Sequence, residues 1–71
     1  MSNALIGQRL RDLRGETPRA EVAEAVGISI SALTMYETGQ RIPRDQIKVK
    51  LAEFYNSTVQ EIFFTPELHT S

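Results

Sequence analysis

The sequence predicts an all-α fold, a bundle of five short helices in one domain. Apolar residues recur every three or four positions in each segment, as one buried helix face requires. No stretch alternates apolar and polar residues with the period of two that marks a half-buried strand. Single glycines, prolines and an asparagine separate the segments, so neighbouring helices are joined closely and no linker to a second domain is seen. With 71 residues, the chain has room for one small core, burying about 60% of its unfolded surface. The expected ordered part covers residues 3–64, with a mobile tail at 65–71.

Helix 1 is expected over residues 3–14, capped by Ser2 or Asn3 and stopped by Gly15. Ile6, Leu10 and Leu13 form its apolar stripe, with Gln8, Arg9, Arg11 and Asp12 in solvent. A very short connection at 15–17 leads to helix 2 over residues 18–26. Thr17 is placed to cap it, and Pro18 suits the first helical position because it has no N–H to leave unpaired. Val22, Ala23 and Val26 face inward, and Gly27 ends the helix in a tight conformation. Ile28 is placed to close the angle between helices 2 and 3. Ser29 can cap helix 3, which runs from Ile30 to about Thr38 and stops at Gly39.

Helix 3 has an unusual outer face. Only Leu33 and Tyr36 look inward, while Ile30, Ser31, Thr34 and Met35 make an uncharged, mostly short-chained surface. A solvated helix face normally carries Lys and Glu, so this one is built to touch something. The following loop offers Ile42 as a core plug and Pro43 as an extended lead-in. Helix 4 begins at Arg44 or Asp45 and reaches about Tyr55. Ile47, Leu51 and Phe54 are its buried stripe, with Lys48, Lys50 and Glu53 outside. Asn56 suits a left-handed terminator. Thr58 and Glu61 then make a capping-box pattern for a short helix 5 over residues 59–64, ended by Pro66. Phe63 and Phe64 are adjacent, so one of them is expected on the surface, where Val59 or Leu68 could extend it into a small apolar contact.

Eight Lys and Arg against nine Asp and Glu give a net charge of −1, which by itself does not suggest a polyanion binder. Position says more. Arg14, Arg19, Arg41, Arg44 and Lys48 cluster around helices 2 and 3, while Glu53, Glu61 and Glu67 come late. The reading is either a polarised molecule or charges scattered in solvent. There is no Cys, so neither a disulfide nor a thiolate metal site is available, and an intracellular setting is the simplest. No apolar run reaches the length of a membrane span or a signal peptide. The one His, His69, lies in the tail, and no two carboxylates flank a nucleophile or take metal-ligand spacing. No catalysis, cofactor or metal is therefore expected.

The run AEVAEAVGIS followed by SALTMYETGQRIPR resembles the lambda-repressor-like (Cro-type, XRE-type) helix-turn-helix family over residues 6–64. The resemblance implies that helices 2 and 3 form the motif, with helix 3 in the major groove of double-stranded DNA and helix 2 across the backbone. It assigns base contacts to Ile30, Ser31, Thr34 and Met35. Phosphate contacts fall to Arg19 (where relatives usually carry Gln), Ser29, Thr38, Gln40, Arg41 and Arg44. It pairs Glu37 with Arg14 as a structural ion pair between helices 3 and 1. It also implies a homodimer on a pseudo-palindromic operator, half-sites about 34 Å apart; the apolar contact read above, the exposed one of Phe63 and Phe64 with Val59 or Leu68, is then the candidate dimer contact.

The chain departs from the family in two places. The 15–17 connection is two residues shorter than the commonest pattern, which alters the angle at which helix 2 starts. No Gln stands on the reading face for bidentate adenine contacts, so specificity falls to modest direct readout with DNA shape or flanking arginines. The function implied is a small prokaryotic or phage-type repressor, cytoplasmic and nucleoid-associated. No second surface for contacting polymerase is seen, and no sensor pocket, which points to control by abundance, proteolysis or a partner. The alternative is a protein-interaction module on the same fold, antitoxin-like or antirepressor-like, docking through Ile30 and Met35.

Overall fold

In the computed structural model, which describes residues 2–65, each helix begins and ends where local chemistry dictates. α1 spans Asn3–Arg14, α2 Arg19–Val26, α3 Ile30–Glu37, α4 Asp45–Phe54 and α5 Gln60–Phe64. The Ser2 hydroxyl accepts the Leu5 N–H at 3.1 Å and opens α1. Gly15, at φ 56°, closes it. Asn56 takes φ 54° after α4, a left-handed value that Asn tolerates better than most residues. The Thr58 hydroxyl accepts the Glu61 N–H at 3.0 Å, and the Glu61 carboxylate in turn accepts from the Ser57 and Thr58 hydroxyls.

Every helix contributes to one core. Ile6 and Leu10 of α1 meet Val22 and Val26 of α2, Leu33 of α3, Leu51 and Ala52 of α4, and Ile62 and Phe63 of α5. Ile28, Tyr36, Ile47, Tyr55 and Val59 pack around this cluster. α1 lies against α3 and α5, and α2 against α3 and α4. α1 meets the end of α3 at Gly7 with no room for a side chain. A Cβ built on Gly7 would overlap the Glu37 carbonyl oxygen and stand 2.8 Å from the Glu37 carbonyl carbon.

Several sequence expectations need correction. Pro18 is not the first residue of α2 but its N-cap, at φ −60° and ψ 142°. Its carbonyl accepts from the Glu21 and Val22 N–H groups. Thr17 therefore does not cap; its carbonyl accepts from Arg14 Nη1 at 3.0 Å, which fixes the short connection. Leu13 is 41% exposed, lining a shallow surface hollow with Arg9, Asp12, Ser57, Glu61 and Ile62, so the buried part of the α1 stripe is Ile6 and Leu10. Ile42 faces out, and the fully buried residue of that loop is Pro43. Phe54 is on the surface, and Tyr55 packs on the core in its place, its ring meeting Phe54 edge-on at 5.2 Å. Lys48 is not a solvated cation. Its side chain is only 14% exposed, and Nζ lies 5.0 Å from the centre of the Phe64 ring and 5.6 Å from that of Phe63.

α5 is a π-helical turn, consistent with the Thr65 hydroxyl donating to the Gln60 carbonyl at 2.8 Å. The wider turn reduces the rotation between consecutive residues, so Ile62 and Phe63 both enter the core. Phe63 thereby leaves the expected dimer surface, while Phe64 stays out. The mobility expected of the tail, and the contact expected of Leu68, concern residues outside those described, apart from Thr65.

Tyr55 carries the one orphan among the buried side-chain polar atoms described: its hydroxyl has no hydrogen-bond partner. Burial pushes its pKa up to about 12, with the Glu37 carboxylate adding to the rise and Arg14 opposing it. Because the folded pKa exceeds the unfolded value of 10.0, ionisation of this phenol costs the fold nothing below pH 10, and stability falls as pH rises from 10 through about 12. Independently of that titration, Tyr55→Phe should stabilise the protein by about 1 kcal/mol at neutral pH, by removing an unpaired buried group. Urea denaturation of both proteins between pH 8 and pH 12 checks it, and the wild type should lose stability faster above pH 10.

Candidate nucleic-acid interface

The α2–α3 corner is closed by one carbonyl. Ala23 O accepts the Gly27 N–H at 2.8 Å and the Ile28 N–H at 2.9 Å, with Gly27 at φ 84°. The chain turns within three residues, and the Ser29 hydroxyl accepts the Ala32 N–H at 2.9 Å to start α3. Leu33 is fully buried and pins the inner face.

On the outer face, Ile30 is 50% exposed and Ser31 is exposed, with Thr34 and Met35 half-buried beside them. Hydroxyls along α3 are largely turned back on the helix. Thr34 Oγ1 donates to the Ile30 carbonyl at 3.0 Å, and Thr38 Oγ1 to the Thr34 carbonyl at 2.8 Å. Gln40 Nε2 donates to Thr38 Oγ1 at 2.9 Å, so these two residues, both expected at phosphates, are joined to each other. The Gln40 and Arg41 N–H groups both donate to the Met35 carbonyl, which carries the exposed Arg41 back toward α3. Arg44 is also exposed, at the start of α4.

Glu37, the last residue of α3, is fully buried and is the hub of the arrangement. Arg14 of α1 grips its carboxylate with two bonds, Nε to Oε2 at 2.7 Å and Nη2 to Oε1 at 3.1 Å. Arg19 of α2 adds Nε to Oε1 at 2.9 Å. Arg11 Nη1 donates to the Glu37 backbone carbonyl, and its Nη2 donates to Gln8 Oε1. The hydrogen bond to Glu37 holds the Arg14 guanidinium above its usual pKa, against the opposing cost of burial. One buried carboxylate between two arginines leaves an excess positive charge on the more exposed of them, Arg19, whose side chain is 37% exposed.

The sequence alone puts Arg11 in solvent and Arg19 on phosphate; in the fold both reach Glu37. A signal for Arg11 is present in the chain. Gly7, Arg11 and Arg14 stand four and three residues apart and so share one helix face. Of the expected dimer contacts, Phe64 is exposed and Val59 half-buried on the core.

The helix-turn-helix family HTH_3 matches residues 8–62. Among solved structures, the restriction-modification controller protein C.AhdI from Aeromonas hydrophila is 30% identical. Its TM-score is 0.78, and the match covers 86% of this chain and 96% of that one. The SinR protein, in its complex with SinI, is 26% identical with a TM-score of 0.78, covering 92% of this chain and 68% of the other. The SOS-response transcriptional repressor LexA from Eubacterium rectale shares the fold at a TM-score of 0.85. It is 21% identical, over 99% of this chain and 77% of that one. No curated protein matches significantly. The chain belongs to the HTH_3 helix-turn-helix family, the lambda-repressor-like (XRE) group of DNA-binding transcriptional regulators.

Proposed function

We propose that this protein is a repressor that binds a pseudo-palindromic operator as a homodimer, with α3 in the major groove of each half-site. The observation that carries the reading is the uncharged outer face of α3 flanked by exposed arginines. Ile30, Ser31, Thr34 and Met35 read bases, while Arg41 and Arg44 hold phosphates on one side. Arg19 holds a phosphate at the α2 N-terminus through Nη1 and Nη2, because only its Nε is engaged by Glu37. Ser29, with its lone pair given to Ala32, still has a hydroxyl proton to donate. Thr38 and Gln40 support the loop through their mutual bond and present its exposed edge.

So small a reader makes few contacts alone, and two-fold pairing doubles them. Phe64, 54% exposed, supplies apolar surface for that pairing, with Val59 beside the core. C.AhdI, at 30% identity, is named a restriction-modification controller protein, which supports a regulatory role without naming the operator.

Arg41→Ala combined with Arg44→Ala should leave the fold intact and weaken binding to duplex DNA. The dependence of log K on log salt should become shallower by about 0.9 for each phosphate that is no longer neutralised. Fluorescence anisotropy on a labelled random-sequence duplex between low and moderate salt measures this. Equal slopes would remove the phosphate assignment. No binding by the wild type at low salt would turn Ile30 and Met35 into a protein-docking patch.

A further inference from the structure

We infer that α3 recognises its site through the 5-methyl groups of pyrimidines, with Ile30 as the principal methyl contact and Met35 and the Thr34 methyl beside it. The inference rests on the DNA-binding reading and specifies which chemistry on the bases is read. Between Ile30 and Tyr36, α3 carries no charged side chain and no amide, and its one carboxylate, Glu37, is buried in the arginine hub. The face therefore cannot make the bidentate pairs by which Arg reads guanine or Gln reads adenine.

Its hydroxyls are weak readers as well. The Thr34 proton is committed to the Ile30 carbonyl, leaving that oxygen as an acceptor only. The Ser31 hydroxyl is the remaining polar group of the face, and a serine hydroxyl accepts or donates with little discrimination. What the face does offer is carbon. Ile30 is half exposed at the first position of the helix, the end that approaches base edges in this docking geometry. In the major groove of unmodified DNA, the carbon group that distinguishes one base from another is the thymine methyl. 5-Methylcytosine places the same group at the same position, so the face accepts thymine and 5-methylcytosine and disfavours uracil and cytosine.

The test uses the full chain and a duplex selected from a random pool. Thymines in each half-site are replaced one at a time by deoxyuridine, which removes the methyl and keeps every hydrogen-bonding group. Burial of one methyl corresponds to about a fourfold change in affinity, so at least one position per half-site should lose that much. Replacing that T·A pair by C·G should weaken binding, and 5-methylcytosine there should recover about fourfold over cytosine. Ile30→Ala, at an exposed position, should erase the thymine–uracil difference while leaving the salt slope unchanged. Tight binding that is indifferent to uracil at every position would overturn methyl reading and leave DNA binding standing. Failure to retain any duplex from the pool would overturn both.

Discussion

Gly7→Ala is expected to be among the most damaging single-methyl changes in this protein, although alanine is the better helix former by about 1 kcal/mol. Gly7 is buried in the middle of α1, where a glycine costs helix stability and has to be justified by something else. The justification is the packing of α1 on α3. The added Cβ would overlap the Glu37 carbonyl oxygen and stand 2.8 Å from its carbon and 3.0 Å from the Tyr36 carbonyl oxygen. These are backbone atoms at the end of a helix, not the tip of a side chain that could swing away. Relief requires α1 and α3 to separate, and separation breaks the Arg11 bond to the same carbonyl and stretches the Arg14–Glu37 pair. Overpacking of a rigid contact costs about 1–3 kcal/mol, and weakening of the attached hydrogen bonds adds to it. For a domain of this size, each kcal/mol lowers Tm by about 4–8 °C, so a fall of about 10–20 °C should appear in a circular-dichroism melt. DNA affinity should fall too, because α3 is the element displaced. An unchanged Tm would show that the two helices do not approach this closely.

How much of the fold and the interface is legible in the sequence follows from what kind of signal each feature leaves. Caps and stops act locally, so Ser2, Gly15, Gly27, Ser29 and Asn56 can be read from residue type alone. Core residues at clear helical spacing, such as Leu10, Val26, Leu33 and Leu51, are equally readable. Thr17 and Pro18 are the exception, because which of two adjacent residues caps α2 is set by the short connection, and the other errors lie where apolar residues compete for the same interior space. Leu13 and Phe54 fit a periodic stripe and Ile42 reads as a loop plug, yet Leu10, Pro43 and Tyr55 fill the available interior. Periodicity gives a face, not its width. The π-turn of α5 is not readable, because it is the packing of both Ile62 and Phe63 that selects it over an ordinary helical turn. Within the candidate interface, the composition of the α3 outer face is plain. The attachment of Arg11 and Arg19 to Glu37 is hidden, because a long cationic side chain reads as solvated until its partner's position in space is known.

The other large effect is expected at Arg14, and it separates two residues that share one partner. Glu37 is fully buried, and the Arg14 side chain is 16% exposed against 37% for Arg19. Arg14→Ala removes the two-bond grip on a carboxylate that has no route to solvent of its own. Breaking a buried pair from one side typically costs about 3–5 kcal/mol, because the remaining charge keeps its desolvation penalty; with Arg19 still bound, the lower end applies. Arg19→Ala removes one bond from a solvent-screened side chain and should cost less than about 1 kcal/mol. Its larger consequence should be in DNA binding, where the phosphate contact proposed for Arg19 would lose its cation. Arg14→Lys should fall between, since an ammonium keeps the charge but cannot match the carboxylate with a planar fork. The decisive comparison adds Glu37→Gln to Arg14→Ala. If the damage comes from a stranded charge, neutralising it should recover about 1–2 kcal/mol, so the double variant is more stable than Arg14→Ala alone. Urea denaturation of each variant at neutral pH gives these values. Simple addition of the two losses would mean that Glu37 is not held as a buried charge, and that α3 is fixed by the Gly7 contact and the apolar core alone.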